Sequence, residues 1–193
     1  MNNEFKRIEK YAETYNVPIM EKSGIKFLTK YIEDNNIKNI LEIGSAIGYS
    51  AIKMATINDN IKVTTIERDN ERYLEALRNV KEFDLEKRIT LIFGDALDVN
   101  LEGKYDLIFI DAAKGQYINF FEKYAKNLKK NGAIISDNLD FHGYVEQEER
   151  IESKNLRQLV NKIRNYIDFL KNNKEFDTTF HKIGDGIAVS IKK

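Results

Sequence analysis

A carboxylate and a lysine follow an apolar run near the middle of this sequence. The segment Tyr105–Tyr117 reads YDLIFIDAAKGQY, so its run Leu107–Ile110 ends at Asp111 and is soon followed by Lys114. Consecutive large apolar side chains leave no polar face, which is typical of a central parallel strand covered on both sides. A carboxylate that ends such a strand lies on the rim where open α/β sheets bind ligands. We therefore interpret Asp111 as a metal ligand and Lys114 as a base in the same crevice.

Two more oxygen-bearing side chains end another predicted strand. Asp137 and Asn138 come directly after the apolar run Ala133–Ser136. If this strand lies beside the one that ends at Asp111, the three side chains converge at one edge of the sheet. Two carboxylates and an amide suit Mg²⁺, which keeps its other octahedral positions for water or substrate oxygens. In isolation, Asp137 and Asn138 are equally consistent with a simple turn of the chain.

Lys114 also has two interpretations. A lysine at the start of a predicted helix is ordinarily a solvated surface residue. Beside a metal ion and a cationic cofactor, however, the charged ammonium is disfavoured and the neutral amine is favoured. A neutral Lys114 can take a proton from a hydroxyl that the metal binds.

A glycine-rich turn after the first predicted strand indicates a nucleoside ligand. The strand Asn39–Ile43 ends at Gly44, and the small residues up to Ser50 open a helix whose N–H groups face a ligand. Glu67 ends the second predicted strand, where an acid can accept hydrogen bonds from both ribose hydroxyls. The G-x-x-x-G spacing departs from the dinucleotide fingerprint, which disfavours a nicotinamide-dependent oxidoreductase. The pair Asp95–Ala96 would border an adenine, although its aspartate is as consistent with helix capping.

Strands that alternate with helices predict an α/β fold with a doubly wound, Rossmann-like, mostly parallel sheet of seven strands. Two amphipathic helices precede this sheet, and an antiparallel hairpin with Gly184–Gly186 as its turn ends the chain. We expect one domain over 1–193, with N-terminal helices in 1–36 and the Rossmann-like core in 37–193. The predicted strands are 39–43, 61–66, 89–93, 105–111, 133–136, 178–183 and 187–191. The predicted helices are 3–15, 21–35, one ending near 57, 70–83, 116–129 and 155–172.

Composition excludes several function classes. The 193 residues contain no cysteine, which rules out disulfides, thiolate metal sites and a cysteine nucleophile. Lysine plus arginine and aspartate plus glutamate both number 31, so a polyanionic partner needs a local basic patch. The N-terminus lacks the apolar stretch of a signal peptide, and no apolar run is long enough to span a membrane. We therefore expect a cytoplasmic protein without a membrane partner.

Taken together, the motifs resemble those of class I S-adenosylmethionine-dependent O-methyltransferases of the catechol and caffeoyl-CoA type. The resemblance extends from about Met20 to Lys193. Its motifs are Glu42-Ile43-Gly44 with Gly48-Tyr49-Ser50, Glu67, Gly94-Asp95-Ala96, Asp111-Ala112-Ala113-Lys114 and Asp137-Asn138. It implies an S-adenosyl-L-methionine site lined by Met20, Glu42, Gly44, Ser50, Glu67, Ala96 and Asp111. It also implies that Mg²⁺, or another divalent cation, is held by Asp111, Asp137 and Asn138, with Lys114 as the base.

Within that family, the segment Ile110–Tyr117 and the short N-terminus most resemble the bacterial tRNA 5-hydroxyuridine methyltransferases. These make 5-methoxyuridine at the wobble position of the anticodon. The C5 hydroxyl and C4 carbonyl oxygen of 5-hydroxyuridine are adjacent, like the two oxygens of a catechol, so one metal site can chelate either. The resemblance implies tRNA as the first choice of substrate and a homodimer as the assembly. A small-molecule catechol or hydroxycinnamoyl-CoA methyltransferase is the nearest alternative.

Residues after the metal ligands bear on the choice of acceptor. Phe141 and Tyr144 can stack on a flat catechol or uracil ring, although loop packing explains them equally well. His142 can touch the substrate, but a lone loop histidine is more often structural or solvated.

The charged residues of the tail do not favour RNA. Basic side chains on the outer face of the last predicted helix are more consistent with a solvated face than with phosphate contacts. They are Arg157, Arg164 and Lys171. Glutamates at 146, 148, 149 and 152 oppose RNA binding. A non-catalytic nucleotide- or RNA-binding module is a further alternative, although a metal triad with a base argues against it.

Overall fold

A central sheet of seven strands organises the fold in this computed structural model, which describes residues 2–146, 151 and 153–193. The strands are β1 (Asn39–Ile43), β2 (Lys62–Glu67), β3 (Ile89–Phe93), β4 (Tyr105–Ile110), β5 (Leu128–Ser136), β6 (Phe176–His181) and β7 (Ile187–Lys192). The helices are α1 (Asn2–Thr14), α2 (Lys22–Asp34), α3 (Tyr49–Ala55), α4 (Asn70–Glu82), α5 (Tyr117–Ala125) and α6 (Lys154–Asn172). A short 3-10 turn over Lys114–Gln116 leads into α5.

The sheet is mostly parallel, as predicted. Its strand order is β3-β2-β1-β4-β5-β7-β6, with β1 to β5 parallel and β7 antiparallel to both β5 and β6. The Rossmann-like topology with an antiparallel end is therefore confirmed. The order of strands reverses between β1 and β4, and the crevice outside such a switch point is where open α/β sheets bind ligands.

Two apolar clusters cover the two faces of the sheet. Helices α1 to α4 contribute to one cluster, in which Ile8, Leu28 and Ile52 are fully or almost fully buried, and α5 and α6 contribute to the other. The apolar face of α1 packs inside the subunit. No helix among the described residues is long and apolar enough to cross a membrane.

The prediction of one long helix over 116–129 is wrong at its end. The helix stops at Ala125, and the chain joins the sheet at Leu128, which pairs with Tyr105 of β4. The Asn127 side chain donates hydrogen bonds to the carbonyls of Leu101 (2.7 Å) and Gly103 (2.9 Å). These bonds fix the chain beside the start of β4, so Leu128 is buried as the first residue of β5 and not as part of the helix.

The final hairpin has a wider turn than predicted. Register runs from Phe176 opposite Lys192 to His181 opposite Ile187, so β6 begins earlier than the predicted 178. Residues 182–186 therefore form the turn, of which Gly184–Gly186 is only the last part. This wider turn reaches back over the end of β5, where the candidate site lies.

Candidate active site

A cavity of about 670 Å³ opens at the carboxyl ends of β1 to β5. It lies at the switch point between β1 and β4, and its volume is in the range of small-molecule and cofactor sites. The segment before α2 covers one side of it, through Pro18–Glu21. Of the predicted site residues, those that line it are Met20, Gly44, Ser50, Glu67, Asp95, Ala96, Asp111, Lys114, Asp137, Asn138, Phe141 and His142. Glu42 and Tyr144 do not line it.

Gly44 allows the ends of β1 and β4 to meet. Its φ is +96°, and a Cβ placed there would lie 2.3 Å from the Asp111 carbonyl oxygen. The main-chain N–H of Asp111 donates to the Ile43 carbonyl at 3.1 Å, so the two strand ends are bonded at this level. Only glycine fits this approach without displacing Asp111. Glycine is therefore required at position 44 by the contact between β1 and β4, whether or not a ligand binds there.

Glu67 is held rigidly at the rim. One carboxylate oxygen accepts a hydrogen bond from the Ala46 N–H and the other from the Asp69 N–H, both at 2.8 Å. Each oxygen retains a lone pair. The carboxylate can therefore still accept the two hydroxyls of a ribose while its orientation is fixed by the main chain.

Asp95 both shapes its loop and faces the cavity. Its Oδ1 accepts the Leu97 N–H at 2.8 Å, which is a local turn, and its Oδ2 lies 3.3 Å from Arg68 Nη1. Behind it, the Tyr124 hydroxyl donates to the Ala96 carbonyl at 2.6 Å. The loop after β3 is thus fixed from two sides.

Glu42 lies behind the cavity wall. Its side chain is fully buried, and its two oxygens accept hydrogen bonds from the hydroxyls of Ser50 and Thr65, both at 2.5 Å. Burial raises the pKa of Glu42 to about 7 against the lowering effect of these two hydroxyls. Of this trio only Ser50 lines the cavity, so contact between Glu42 and a ligand would pass through Ser50.

The two predicted metal carboxylates lie at the same level of adjacent strands. Ile110 pairs with Ser136, so Asp111 and Asp137 are the next residues on each strand, and the Asp137 N–H donates to the Ile110 carbonyl at 3.1 Å. The Asn138 amide donates to Asp111 Oδ1 at 3.0 Å, with Asn138 in the left-handed region at φ +65°. The three side chains therefore converge, as β4–β5 pairing predicts.

Electrostatics at this pair favours a cation. Burial, and then the neighbouring Asp111, raise the pKa of Asp137 to about 7. Burial raises the pKa of Asp111 too, and Lys114 opposes this shift. A positive ion at the carboxylates would offset both effects.

The donor set fits a hard divalent cation. Two carboxylates and an amide oxygen are ligands that Mg²⁺ accepts, with the remaining positions left to water and substrate. Among the described residues, no group of three or more His, Cys, Asp and Glu side chains is arranged to hold a metal ion. The predicted ligand set contains two carboxylates, Asp111 and Asp137, and Asn138 is its third member. Three protein ligands agree with an ion that keeps several bound waters.

Lys114 reaches the same space from the 3-10 turn. It is partly buried, and its Nζ lies 5.4 Å from the centre of the Phe141 ring. Its positive charge opposes the rise in the pKa of both Asp111 and Asp137. A basic nitrogen, two carboxylates and an aromatic ring thus face one part of the cavity.

The loop after β5 is bent in an unusual way. Phe141, His142 and Gly143 all have positive φ, of +49°, +58° and +81°. Phe141 and His142 line the cavity, while Tyr144 packs near Phe141 with ring centres 6.2 Å apart and lies outside it. Tyr144 thus packs within the loop, and Phe141 and His142 face the cavity.

The charged residues of the tail are engaged elsewhere. Arg157 donates to the Ile151 carbonyl at 3.0 Å and Arg164 to the Val145 carbonyl at 2.8 Å. Glu146 pairs with Lys182 at 2.7 Å. The remaining glutamates of that segment, at 148, 149 and 152, lie outside the described residues.

Sequence reasoning missed two residues that shape the site. The buried Tyr117 hydroxyl donates to the Asp137 carbonyl at 3.1 Å, a role that the sequence does not reveal. Asp185 lines the cavity from the tail turn, which the sequence presents only as a hairpin signal. A polar residue between two glycines was the available signal, but nothing in the sequence places that turn beside β5.

Comparison with known proteins agrees with this geometry. A model of the O-methyltransferase family matches residues 3–193. The chain is 32% identical over 181 residues to a catechol O-methyltransferase of Niastella koreensis, covering 87% of this chain and 79% of that protein. It is 29% identical over 197 residues to a caffeoyl-CoA O-methyltransferase of Stellaria longipes, covering 95% and 80%.

Solved structures give the same result. A Staphylococcus aureus protein described as a candidate caffeoyl-CoA O-methyltransferase has a TM-score of 0.93 and 41% identity, over 98% of this chain and 92% of that one. A Bacillus cereus O-methyltransferase in complex with SAH has a TM-score of 0.84 and 26% identity, over 99% and 91%. The chain therefore belongs to the family of S-adenosylmethionine-dependent O-methyltransferases that contains the caffeoyl-CoA and catechol enzymes.

Proposed function

We propose that this enzyme methylates a small aromatic acceptor, with a divalent cation, on a hydroxyl that lies beside a second oxygen. The observation that carries this proposal is the juxtaposition of Asp111, Asp137 and Asn138 with Lys114 in the cavity that the nucleoside-binding strand ends also line. A binding module needs no base beside paired buried carboxylates. Methyl transfer to an ionisable hydroxyl does need a base, because the hydroxyl proton must be removed.

The residues that line the cavity have separate roles in this reaction. Glu67 accepts hydrogen bonds from the ribose hydroxyls of S-adenosylmethionine, and Asp111, Asp137 and Asn138 would hold Mg²⁺. Such a cation would lower the pKa of the acceptor hydroxyl. Lys114 Nζ takes the hydroxyl proton, and the oxygen attacks the methyl carbon in line as the sulfonium C–S bond breaks. Because no group of the protein bonds covalently to the methyl, catalysis consists mainly of positioning.

The family relatives favour a small acceptor over RNA. The named relatives act, by their printed names, on catechol and caffeoyl-CoA, both of which present adjacent oxygens on a ring. Phe141 offers an aromatic wall for such a ring, with Lys114 at its face. A vicinal diphenol is therefore the first acceptor that we propose for this site.

The second candidate acceptor is 5-hydroxyuridine at the wobble position of tRNA. Basic side chains at the cavity favour it, because Arg68 and Arg72 line the opening and Lys162 approaches Gly115 beside Lys114. Such groups can bind the phosphates that flank an extruded nucleotide. The same two-oxygen chelation would then serve a uracil ring.

A direct assay separates the two acceptors. The purified enzyme is incubated with S-adenosylmethionine and Mg²⁺, and with catechol, caffeoyl-CoA, 5-hydroxyuridine-containing tRNA or unmodified tRNA. We expect methylation of a diphenol that EDTA abolishes. Methylation of the hydroxylated tRNA alone would replace our first acceptor with the second. Methyl transfer that persists without any divalent cation would contradict the metal-dependent chemistry.

A parallel measurement in cells tests the RNA candidate. Wobble-position nucleosides are analysed by mass spectrometry in cells with and without this protein. Loss of 5-methoxyuridine would establish the tRNA acceptor, and unchanged nucleosides would leave the small-molecule acceptor as the function.

We also propose that the enzyme is a homodimer, in line with the sequence resemblance. The α1 face is already used inside the subunit, so the interface would lie elsewhere. Light scattering after size-exclusion chromatography measures the mass directly, and a particle of 22.5 kDa would contradict the dimer.

A further inference from the structure

The turn between β6 and β7 brings a third carboxylate to the acceptor side of the cavity. Asp185 lines the cavity, and its side chain is only 7% exposed. Its Oδ1 accepts the His142 N–H at 2.5 Å. Its Oδ2 is buried and accepts no hydrogen bond from any residue that the structure describes. Buried polar atoms in native proteins normally have a partner, so this oxygen requires an explanation.

The position of Asp185 is fixed by the main chain around it. The Leu139 N–H donates to the Gly186 carbonyl at 2.9 Å, and the Asp140 N–H donates to the Asp185 carbonyl at 2.7 Å. Gly186 permits this approach, because a Cβ there would lie 2.6 Å from the Asp140 nitrogen at φ +84°. The turn is therefore tied directly to the segment that follows Asp137, and among the described residues only the bond from the His142 N–H holds the carboxylate itself.

A role limited to holding the loop does not explain the charge. One oxygen suffices to accept the His142 N–H, and a neutral asparagine would supply it. The other titratable group in contact is the His142 ring, whose Nδ1 lies 3.6 Å from Oδ1, beyond a normal hydrogen bond. Asp185 instead acts electrostatically on Asp111 and Asp137, raising the pKa of each. The carboxylates of Asp111, Asp137 and Asp185 thus lie in one region of the site. The positive charge of Lys114 opposes the rise in pKa that Asp111 and Asp137 undergo there.

We infer that Asp185 is a positioning residue of the divalent-cation centre, whose Oδ2 accepts a hydrogen bond from a water ligand of that cation. The inference rests on the proposed function, because it assumes that Asp111, Asp137 and Asn138 hold the ion. Mg²⁺ retains several waters, and carboxylates outside the ligand set commonly orient such ligands. The orphan oxygen then has a partner, and the third negative charge is compensated. The loop that carries Phe141 and His142 is also linked to cation binding through Oδ1.

The test compares Asp185→Asn with a matched control, Asp140→Asn. Asparagine at 185 can still accept the His142 N–H but offers no second acceptor for a water. Asp140 lies in the loop after β5 that the Asp185 turn contacts, and its charge acts on the surface Lys182 and is not among the causes of the pKa shifts of Asp111 and Asp137. Mn²⁺ binding is measured by electron paramagnetic resonance, and Mg²⁺ binding by calorimetry, on the full chain without methyl acceptor.

We expect Asp185→Asn to weaken Mn²⁺ binding about 10- to 100-fold, the usual effect of losing such a partner, and Asp140→Asn to leave it within about twofold. Without metal, the melting temperature of Asp185→Asn should equal or exceed that of the unchanged protein, since like charges are removed. A purely structural anchor would instead lower the melting temperature both with and without metal. Asp185→Ala loses both roles and should lower the melting temperature in each condition.

Two outcomes would overturn the inference in distinguishable ways. Equal Mn²⁺ affinity in Asp185→Asn and the unchanged protein would contradict the role of Asp185 alone. Absence of Mn²⁺ and Mg²⁺ binding by the unchanged protein would contradict the metal centre itself, and this inference with it.

Discussion

The two halves of the cavity differ in how their buried carboxylates are paired. In the cofactor half, at the ends of β1 to β3, every oxygen of Glu42 and Glu67 accepts a hydrogen bond from a hydroxyl or a main-chain N–H. In the acceptor half, at the ends of β4 and β5, Asp137 is 96% buried with a raised pKa, and Asp185 Oδ2 has no partner among the described residues. Asp111 lies on the boundary between them.

This difference indicates what each half is built to bind. A carboxylate that is already oriented by N–H groups is ready to accept hydroxyl hydrogen bonds, and it needs no ion. Carboxylates that face one another repel when they are ionised, and a bound cation would relieve the repulsion that Lys114 alone leaves. The cofactor half thus needs no ion to satisfy its carboxylates, and under the proposed function a cation would stabilise the acceptor half.

Removal of the Lys114 amine should have the largest effect and should be confined to the acceptor half. We expect Lys114→Met to lower kcat by about 10²- to 10⁴-fold, the range for loss of a general base. The affinity for S-adenosylmethionine, measured by calorimetry, should stay unchanged, because Glu67 and Gly44 are untouched. Lys162→Met removes a neighbouring exposed lysine and is the matched control with a small-molecule acceptor. A similar loss of rate in both variants would contradict the role of Lys114.

Gly44→Ala tests the boundary between the halves. The new methyl group would meet the Asp111 carbonyl at 2.3 Å in a left-handed conformation. We expect a loss of about 1–3 kcal/mol in unfolding free energy, measured by urea denaturation, and a weaker cofactor affinity. Gly103→Ala, whose methyl group would meet the Tyr105 ring and hydroxyl at 3.2 Å or more, should have a smaller effect on both. Equal effects of the two substitutions would show that the strand ends are not constrained at Gly44.

The pH dependence of stability should separate the two halves. Burial raises the pKa of Glu42 from 4.5 and of Asp137 from 3.8, in both cases to about 7. The folded protein therefore holds protons that the unfolded chain has released, so their contribution to stability is present below about pH 4 and is lost as the pH rises to about 7. Melting temperatures of the metal-free protein should show this loss, at about 2–4 °C per kcal/mol.

Mg²⁺ should restore only the Asp137 part of that loss. Glu42→Gln and Asp137→Asn should each flatten the profile of the metal-free protein, but only Asp137→Asn should abolish the stabilisation by Mg²⁺ at pH 7. A Glu42→Gln variant that also lost its response to Mg²⁺ would show that the two halves are not independent.

The smallest expected effects come from two tyrosines on α5 that support opposite halves. The Tyr117 hydroxyl bonds to the Asp137 carbonyl, and the Tyr124 hydroxyl bonds to the Ala96 carbonyl. Each phenylalanine variant should lose about 1 kcal/mol of stability in denaturant titrations. Tyr117→Phe should weaken Mn²⁺ binding a few-fold with the cofactor affinity unchanged, and Tyr124→Phe should do the reverse. If the two variants changed Mn²⁺ and cofactor affinity in the same way, the tyrosines would not support separate halves of the cavity.

Much of the fold could be predicted because its signals are local. The apolar runs of β1, β3 and β4 and the turn residues after them identify parallel strands, and alternation with helices identifies the sheet. The end of α5 could not be predicted, because Leu128 fits a helical stripe as well as a strand. Its assignment depends on Asn127, which is bound to a distant loop. The spacing of apolar residues along the sequence contains no information about such a long-range contact.

For the site, the sequence by itself determined which residue types follow each strand, and hence the set Asp111, Lys114, Asp137 and Asn138. Parallel strands place their carboxyl ends at one edge, so neighbours on the sheet share a site. Only the tertiary structure decided that Glu42 stands behind Ser50 and that Asp185 reaches the end of β5 from the tail. Both depend on which side chains meet across elements far apart in the chain, and burial and hydrogen-bond satisfaction exist only once those elements pack.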